Sequence, residues 1–142
     1  MPFSFDYALK THPGLVRPLN EDALGADPQS GLFVLADGLG GYNAGEIAST
    51  MAVSTLLAGL SSALSDASHQ GLPFDPRQAL FTALVDMNTA IFRAALNSAA
   101  FEGMATTVVV AWLLGDRLWV AHTGDSRLYR LRDGELSQIT RD

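Results

Sequence analysis

Residues 32–50, LFVLADGLGGYNAGEIAST, decide the fold and organise the rest of the chain. Residues 32–36 form a short apolar run rich in Val, Leu and Phe, which predicts a buried strand. Asp37 ends that run, and glycines follow at positions 38, 40, 41 and 45 before a helical pattern begins. Glycines adopt backbone angles closed to other residues and let a ligand approach the main chain closely. A carboxylate at a strand end beside such a backbone indicates a site for a hard cation with oxygen ligands.

Two common glycine-rich loops do not fit this stretch. A dinucleotide-binding turn requires the pattern Gly-x-Gly-x-x-Gly, and Asn43 stands where its last glycine belongs. A phosphate-binding P-loop requires Gly-Lys-Ser/Thr, and the stretch contains no lysine. A plain strand-to-helix turn needs neither so many glycines nor the acid. The stretch therefore predicts a functional loop.

Composition sets broad limits on fold and function. A length of 142 residues predicts a single domain spanning 1–142. The net charge of -6 argues against a nucleic acid as the main partner. It suits a cation-binding protein, although many soluble proteins carry a similar charge. The absence of cysteine excludes disulfides, thiolate metal sites and a cysteine nucleophile, and it fits a cytoplasmic protein.

Two segments bear on a membrane location. Residues 1–10 lack the basic start and apolar core of a signal peptide. Residues 47–65 carry no charge and are long enough to span a membrane. However, this segment contains many hydroxyl side chains and Gly59, which favour a helix packed in a soluble core. We therefore predict no membrane-spanning segment.

Two strands are predicted outside the glycine-rich stretch in the first part of the chain. Apolar and polar residues alternate over residues 3–9, which predicts a first strand. Residues 23–26 predict a weaker second strand, and residues 27–31 have the composition of a turn. Residues 23–37 are therefore expected to form a β-hairpin.

This hairpin is expected to bring acidic side chains together, because antiparallel strands place the start of one strand beside the end of the next. Glu21 and Asp22 then lie close to Asp37, and three acids converge from two segments. Arg17 comes with them, and its residue type fits either a surface salt bridge or an anion-binding role. His12 is interpreted as a surface loop residue.

Two long helices are predicted next. Residues 43–69 form the first, with small residues that permit close packing, and residues 70–73 end it. Asp75 begins the second as its N-cap, followed by a proline in the first turn and by Gln78 at the capping-box position. The apolar stripe of the second helix consists of Leu80, Leu84, Met87, Ile91 and Ala94.

Four strands are predicted after the helices, over residues 106–114, 117–123, 127–131 and 136–140. Their short connections predict one antiparallel meander. Asp125 follows a glycine between the second and third of these strands, like Asp37, although an ordinary turn-initiating aspartate alone would explain it. The order of strands, two helices and strands predicts an α+β fold with helices layered on a sheet.

Four motifs occur together and in order. They are Arg17-x-x-x-Glu21-Asp22, Asp37-Gly38-x-Gly40-Gly41 with Gly45-Glu46, Gly103-x-Ala105-Thr106-Thr107, and Gly124-Asp125-Ser126-Arg127. Together they resemble the metal-dependent serine/threonine phosphatases of the PP2C (PPM) type, in particular the compact bacterial members. The resemblance covers nearly the whole chain. It implies an α-β-β-α sandwich of two packed antiparallel sheets with flanking helices.

The resemblance also implies a pair of Mn²⁺ or Mg²⁺ ions at one end of the sheets. Under this resemblance, Asp37 would bridge the two ions and Gly38 would offer its carbonyl oxygen to them. Glu21 and Asp22 would act on the ions directly or through metal-bound water. Asp125 belongs to an additional, weaker ion site.

Arg17 holds the substrate phosphate in this scheme, because a guanidinium matches two phosphate oxygens in a fork. Two divalent ions can share a water, lower its pKa from 15.7 toward about 7 and hold it in line with phosphorus. Carboxylates and carbonyls are the ligands that such ions prefer. The catalytic residues implied are thus Arg17 and Asp37, and no protein nucleophile is needed.

The sequence departs from the family pattern in two ways. Position 39 is Leu, where eukaryotic members carry a histidine proposed to protonate the leaving group, so the general acid is unassigned. The sequence also stops at Asp142, within a segment that family members continue well beyond. We therefore expect the sequence to be the N-terminal portion of a domain. The further aspartates that complete the binding site for the two metal ions are expected to lie outside it.

Two functions remain open at this point. The first is hydrolysis of phosphoserine and phosphothreonine in phosphoproteins, with a Ser/Thr kinase and its substrates as expected partners. The alternative is a truncated, non-catalytic module that binds phosphoprotein or metal. For residues 1–142 alone, we expect little activity. We also expect self-association, because both helices cover the same sheet and leave an apolar face open.

Overall fold

The computed structural model describes residues 4–142, which form nine regular elements other than short 3₁₀ turns. The strands before the helices are β1 (Asp22–Asp27) and β2 (Leu32–Leu39). The helices are α1 (Ala44–Gln70) and α2 (Pro76–Asn97). The later strands are β3 (Ala105–Thr106), β4 (Val108–Leu114), β5 (Arg117–Thr123), β6 (Tyr129–Arg132) and β7 (Glu135–Gln138).

The strands form two antiparallel sheets. The larger sheet has the order β1-β2-β4-β5, and the short β3 pairs with the end of β2. The smaller sheet is the β6-β7 hairpin. The α+β class and the two antiparallel sheets are as predicted. Both long helices lie on one side, and the part of the chain described by the structure contains no helical layer on the other.

One face of the larger sheet forms the core. The side chains of β2 alternate, so that Leu32, Val34 and Ala36 are buried toward the helices. Their neighbours on β4 in the same layer include Trp112, which pairs with Leu32, and Val110, which pairs with Val34. The Trp112 indole donates a hydrogen bond to the Ser30 carbonyl at 2.9 Å, which satisfies its buried N–H.

Small side chains let α1 approach this face closely. Ala44, Ala48 and Ala52 are fully buried, and Leu56 and Leu60 continue the contact. The helix ends at Gly71, whose left-handed conformation (φ 64°) lets its N–H bond the carbonyls of the last turn.

The second helix begins as predicted, with one difference. The Asp75 carboxylate accepts from the backbone N–H of Arg77 and of Gln78. The Gln78 side chain bonds Thr82 instead of reaching back, so the capping box is not formed. In the predicted apolar stripe, Leu80, Met87 and Ile91 are buried, while Leu84 and Ala94 are partly buried.

By length and composition alone, both helices among the described residues could cross a membrane. A core helix of a soluble protein meets the same criterion, and α1 buries its apolar residues against the sheet. This packing agrees with the interpretation of residues 47–65 as a core helix.

The predicted first strand is wrong for the residues that the structure describes. Residues 4–10 have no strand conformation, and Phe3 lies outside the described part. The alternation has a different cause, because Phe5 and Tyr7 both pack on Phe33, with ring centroids 5.7 and 5.5 Å away. Two aromatic residues spaced two apart can cover a sheet face without pairing to it.

The predicted four-stranded meander is also wrong. It is two separate hairpins, β4-β5 and β6-β7. The strand predicted over 106–114 is interrupted at Thr107, where the chain passes from β3 to β4. Residues 124–128 leave the sheet after β5.

Candidate functional site

The β1-β2 hairpin brings two carboxylates together at one end of the sheet. In its register, Asp22 lies opposite Asp37. Contrary to prediction, Asp37 does not end the strand. β2 continues to Leu39 because Gly38 and Leu39 pair with β3. Asp37 therefore stands on a hydrogen-bonded strand instead of on a free loop.

Two threonines hold the backbone of Asp37. Its N–H donates to Thr107 Oγ1 at 3.0 Å, and its carbonyl accepts from the Thr107 N–H at 2.9 Å. The same carbonyl accepts from Thr106 Oγ1 at 3.1 Å. The backbone of Asp37 is thus fixed from three directions by the segment that joins β3 to β4.

The environment of Asp37 raises the pKa of its carboxyl group. Burial is the largest cause, because it disfavours the charged form, and the charge and hydrogen bonding of Asp22 come next. The charge of Asp125 adds to the effect, whereas Arg17 opposes it. A cation placed between the Asp22 and Asp37 carboxylates would remove their repulsion.

Glu21 lies beside the end of β2, and its side chain contacts the start of α1. Its carboxylate lies against Gly45 in the first turn of α1, where a side chain on Gly45 would clash with it. The Glu21 carboxylate also complements the positive end of the helix dipole. Asn43, the N-cap residue, makes no side-chain hydrogen bond to this helix. Glu21 is mostly buried and forms a 3.8 Å ion pair with the exposed Arg17.

The glycines after Asp37 serve close packing. Gly38 lies against the Gly45 carbonyl and donates its N–H to the Glu21 carbonyl at 3.0 Å. Gly40 packs on Ala44. None of Gly38, Gly40 and Gly41 has a positive φ, so the expectation of unusual glycine angles is wrong there. In this loop the left-handed residue is the exposed Tyr42, with φ 53°.

Asp125 lies on the loop after β5. Gly124 precedes it with φ 94°, and a side chain there would meet the Thr107 methyl group at 2.7 Å. Ser126 follows it, and its hydroxyl lies 2.6 Å from Thr107 Oγ1. Packing and a hydrogen bond therefore hold this loop near the end of β2.

All six residues predicted for the site line one cleft of about 470 Å³. They are Arg17, Glu21, Asp22, Asp37, Gly38 and Asp125. Sequence reasoning missed two other lining residues, Thr107 and His12. His12 is exposed, as expected, and its Nδ1 accepts from the Gly14 N–H at 2.9 Å. The Pro13-Gly14 pair, which is typical of a turn, was the available signal for the turn beside His12.

The oxygen donors fit a divalent cation in part. Asp22 and Asp37 face each other, and carboxylate oxygens are what Mg²⁺ and Mn²⁺ prefer. Within residues 4–142, however, no three His, Asp or Glu side chains are grouped closely enough to hold an ion. Glu21 lines the same cleft as Asp22 and Asp37, but its carboxylate lies against Gly45 at the start of α1. The described residues supply part of a ligand set.

Comparisons with known proteins agree with this arrangement. Residues 17–142 match the family described as protein phosphatase 2C. The serine/threonine protein phosphatase PstP of Mycobacterium tuberculosis is 41% identical over 136 residues, which are 96% of this chain and 24% of PstP. The serine/threonine phosphatase stp of Listeria welshimeri is 33% identical, over 94% of this chain and 52% of its own length.

Solved structures give the same result. A crystal structure of the Mycobacterium tuberculosis phosphatase PstP has a TM-score of 0.75 and 41% identity, over 91% of this chain and 51% of that one. A structure of the PstP catalytic domain in complex with two manganese ions has a TM-score of 0.72 and 40% identity, over 91% and 52%. The chain thus spans about half the length of these solved structures.

Proposed function

The chain belongs to the protein phosphatase 2C family, and from this premise we propose that it forms part of a metal-dependent protein serine/threonine phosphatase. The substrates proposed are phosphoserine and phosphothreonine in phosphoproteins, including a Ser/Thr kinase and its targets, in the cytoplasm. The observation that carries the proposal is the pair of facing carboxylates, Asp22 and Asp37, in a cleft that also contains Arg17.

Asp37 and Asp22 are proposed to hold Mn²⁺ or Mg²⁺, together with the Gly38 carbonyl and with ligands from outside residues 4–142. A further ion is proposed at Asp125. Bound ions of this kind supply Lewis-acid activation of a water nucleophile and stabilise charge on phosphoryl oxygens. The two known manganese ions of the PstP complex support this assignment by analogy.

The protein residues have three tasks in this proposal. Asp37 would supply ligand charge to the ion, and a bound cation would favour its ionised form against the burial and the Asp22 charge that raise its pKa. Arg17 orients the phosphate by forked hydrogen bonds. Glu21 holds Arg17 by their ion pair and fixes the start of α1, so its contribution to the ions is indirect.

The direct test is Asp37→Asn in the natural protein that contains this sequence. We expect loss of Mn²⁺-dependent phosphopeptide hydrolysis and of Mn²⁺ binding by calorimetry, because the amide lacks the ligand charge. Asp116→Asn, in the exposed β4-β5 turn, is the matched control and should leave both unchanged. Hydrolysis that survives both Asp37→Asn and EDTA would contradict the metal mechanism.

A second expectation concerns residues 1–142 alone, which we propose to be inactive and to self-associate. Within residues 4–142, too few acids are grouped to hold two metal ions, and several large apolar side chains are exposed, among them Leu39, Leu131 and Leu136. Light scattering after size-exclusion chromatography should show a second copy. A monomer that hydrolyses phosphopeptide at enzymatic rates would contradict this expectation.

A further inference from the structure

Thr107 touches both acidic segments of the cleft. On one side it exchanges two backbone-directed hydrogen bonds with Asp37, at 3.0 and 2.9 Å. On the other side its hydroxyl lies 2.6 Å from the Ser126 hydroxyl, one residue beyond Asp125. The end of β2 and the loop after β5 are 88 positions apart in sequence at Asp37 and Asp125, and this side chain links them.

Both ends of the Thr107 side chain are used. The hydroxyl accepts from the Asp37 N–H and still has a donor and an acceptor site for Ser126. The methyl group packs against Gly124, where an added Cβ would lie 2.7 Å from it. A glycine is required there for two reasons, since its φ of 94° also disfavours any other residue.

The loop after β5 has few contacts near Asp125, whereas its far end is held by Arg127, which bonds Asp142, and by Leu128, which bonds Thr140 and Ile139. Residues 124–128 have no strand or helix conformation, and Asp125 is exposed. Ordering such a loop costs conformational entropy, which specific contacts must offset. Within residues 4–142, the hydroxyl of Ser126 and the packing of Gly124 are the contacts that join the loop to Thr107. On either side of Asp125, the loop is therefore held to the end of β2 through Thr107.

We propose that Thr107 is a positioning residue, which fixes the Asp125 loop against the end of β2 so that cation binding at Asp125 depends on the Thr107–Ser126 bridge. This inference rests on the proposed function for the role of the cations. The anchoring itself does not, because it concerns contacts within the protein. The electrostatic influence of Asp125 on Asp37 supports the close approach of the two segments.

The first experiment measures the anchor without metal, by amide hydrogen exchange and ¹⁵N relaxation. Thr107→Val keeps the methyl shape but removes both hydroxyl bonds. We expect about fivefold faster exchange at Asp37, the effect of losing one hydrogen bond, and lower order in residues 124–127. Thr107→Ser keeps the hydroxyl and should preserve both signals better than Thr107→Val.

Thr106→Val is the matched control. Thr106 bonds the same Asp37 carbonyl, but in the described part of the chain its hydroxyl bonds only that carbonyl and that of Thr107. It should therefore leave the order of residues 124–127 unchanged. If Thr107→Val also leaves those residues as ordered as in the wild type, the anchoring is overturned. Ser126→Ala should loosen the loop while the Asp37 amide stays protected.

The second experiment measures Mn²⁺ binding by calorimetry in the natural protein. We expect Thr107→Val and Asp125→Asn to weaken the same binding event, each about fivefold or more. The double variant should bind Mn²⁺ no more weakly than Asp125→Asn alone, because the two substitutions remove the same contribution to binding. Losses that multiply would overturn the proposed coupling. Wild-type protein that binds no Mn²⁺ would overturn the proposed function instead, and the exchange experiment would still decide the anchor.

Discussion

The two faces of the larger sheet differ in how they are covered. On the helix face of β2, Leu32 is fully buried beneath α1 and α2. On the opposite face of the same strand, Leu35 is 37% exposed. Phe5 and Tyr7 cover part of this second face by packing on Phe33, and a cavity of about 340 Å³ remains beside them.

The acidic residues belong to the partly covered face. Since side chains alternate along a strand, Asp37 points to the same side as Leu35, and its partner Asp22 does so on β1. His122 lies on this face too, opposite Val109, and its buried Nδ1 has no hydrogen-bond partner within residues 4–142. The helix face therefore supplies most of the buried apolar area, while the other face holds polar and charged groups that are partly removed from water.

Two leucines on β2 allow the stability of the two faces to be compared with one residue type on one strand. Leu32→Ala should lower the free energy of unfolding by about 2–5 kcal/mol, because it empties a fully buried site. Leu35→Ala should cost about 1 kcal/mol, since it removes partly exposed surface. Urea unfolding of both variants measures the contrast. Equal losses would mean that the second face is packed as tightly as the first.

The next effect tests the charged face. The raised pKa of Asp37 means that the folded protein holds this proton more tightly than the unfolded chain does. Its contribution to stability is thus most favourable below the unfolded pKa, near 3.9. That contribution is lost as the pH rises from there through the raised folded value. Without cations, Asp37→Asn should remove this loss and be at least as stable as wild type at neutral pH.

The measurement is urea unfolding between pH 3 and 8, taken as the difference between variant and wild type. The difference is needed because Asp27 has the opposite sign: its bonds to Ser30 and Ser61 lower its pKa. Adding Mg²⁺ should stabilise the wild type more than Asp37→Asn. A variant that is clearly less stable than wild type at neutral pH would show that Asp37 is satisfied without a cation.

Much of the helix face could be predicted from the sequence, because its signals are local. The apolar run of residues 32–36, the cap at Asp75 and the stripe through Leu80 each specify one element. The pairing of Asp22 with Asp37 also follows from a local signal, because the turn between β1 and β2 fixes the register of the hairpin. The site roles of Gly38 and Asp125 came from the resemblance to the PP2C phosphatases, and all six predicted site residues line one cleft.

The second face could not be predicted as well, because its contacts join distant segments. The Thr107–Ser126 bond turns the chain out of the sheet after β5, and no local pattern distinguishes this from a meander. The alternation at Phe5 and Tyr7 looked like a strand because packing on Phe33 has the same period. The contact between the Glu21 carboxylate and Gly45 was not predicted, because Gly45 lies across the loop at the start of α1.

The smallest expected change in stability lies at the rim of the charged face. Arg17 is 76% exposed, and its ion pair with Glu21 spans 3.8 Å, so Arg17→Ala should change the free energy of unfolding by less than about 0.5 kcal/mol. Its effect on substrate should be larger. One lost charged hydrogen bond to phosphate is worth about 1.5–3 kcal/mol, or about tenfold or more in kcat/KM. Arg77→Ala, an exposed arginine at the start of α2, is the control. Steady-state kinetics with p-nitrophenyl phosphate, measured beside an Mn²⁺ titration, separates the two roles of Arg17. If the guanidinium contacts phosphate, Arg17→Ala lowers kcat/KM and leaves the affinity for Mn²⁺ unchanged. Equal losses in kcat/KM and in Mn²⁺ affinity would instead make Arg17 a structural partner of Glu21.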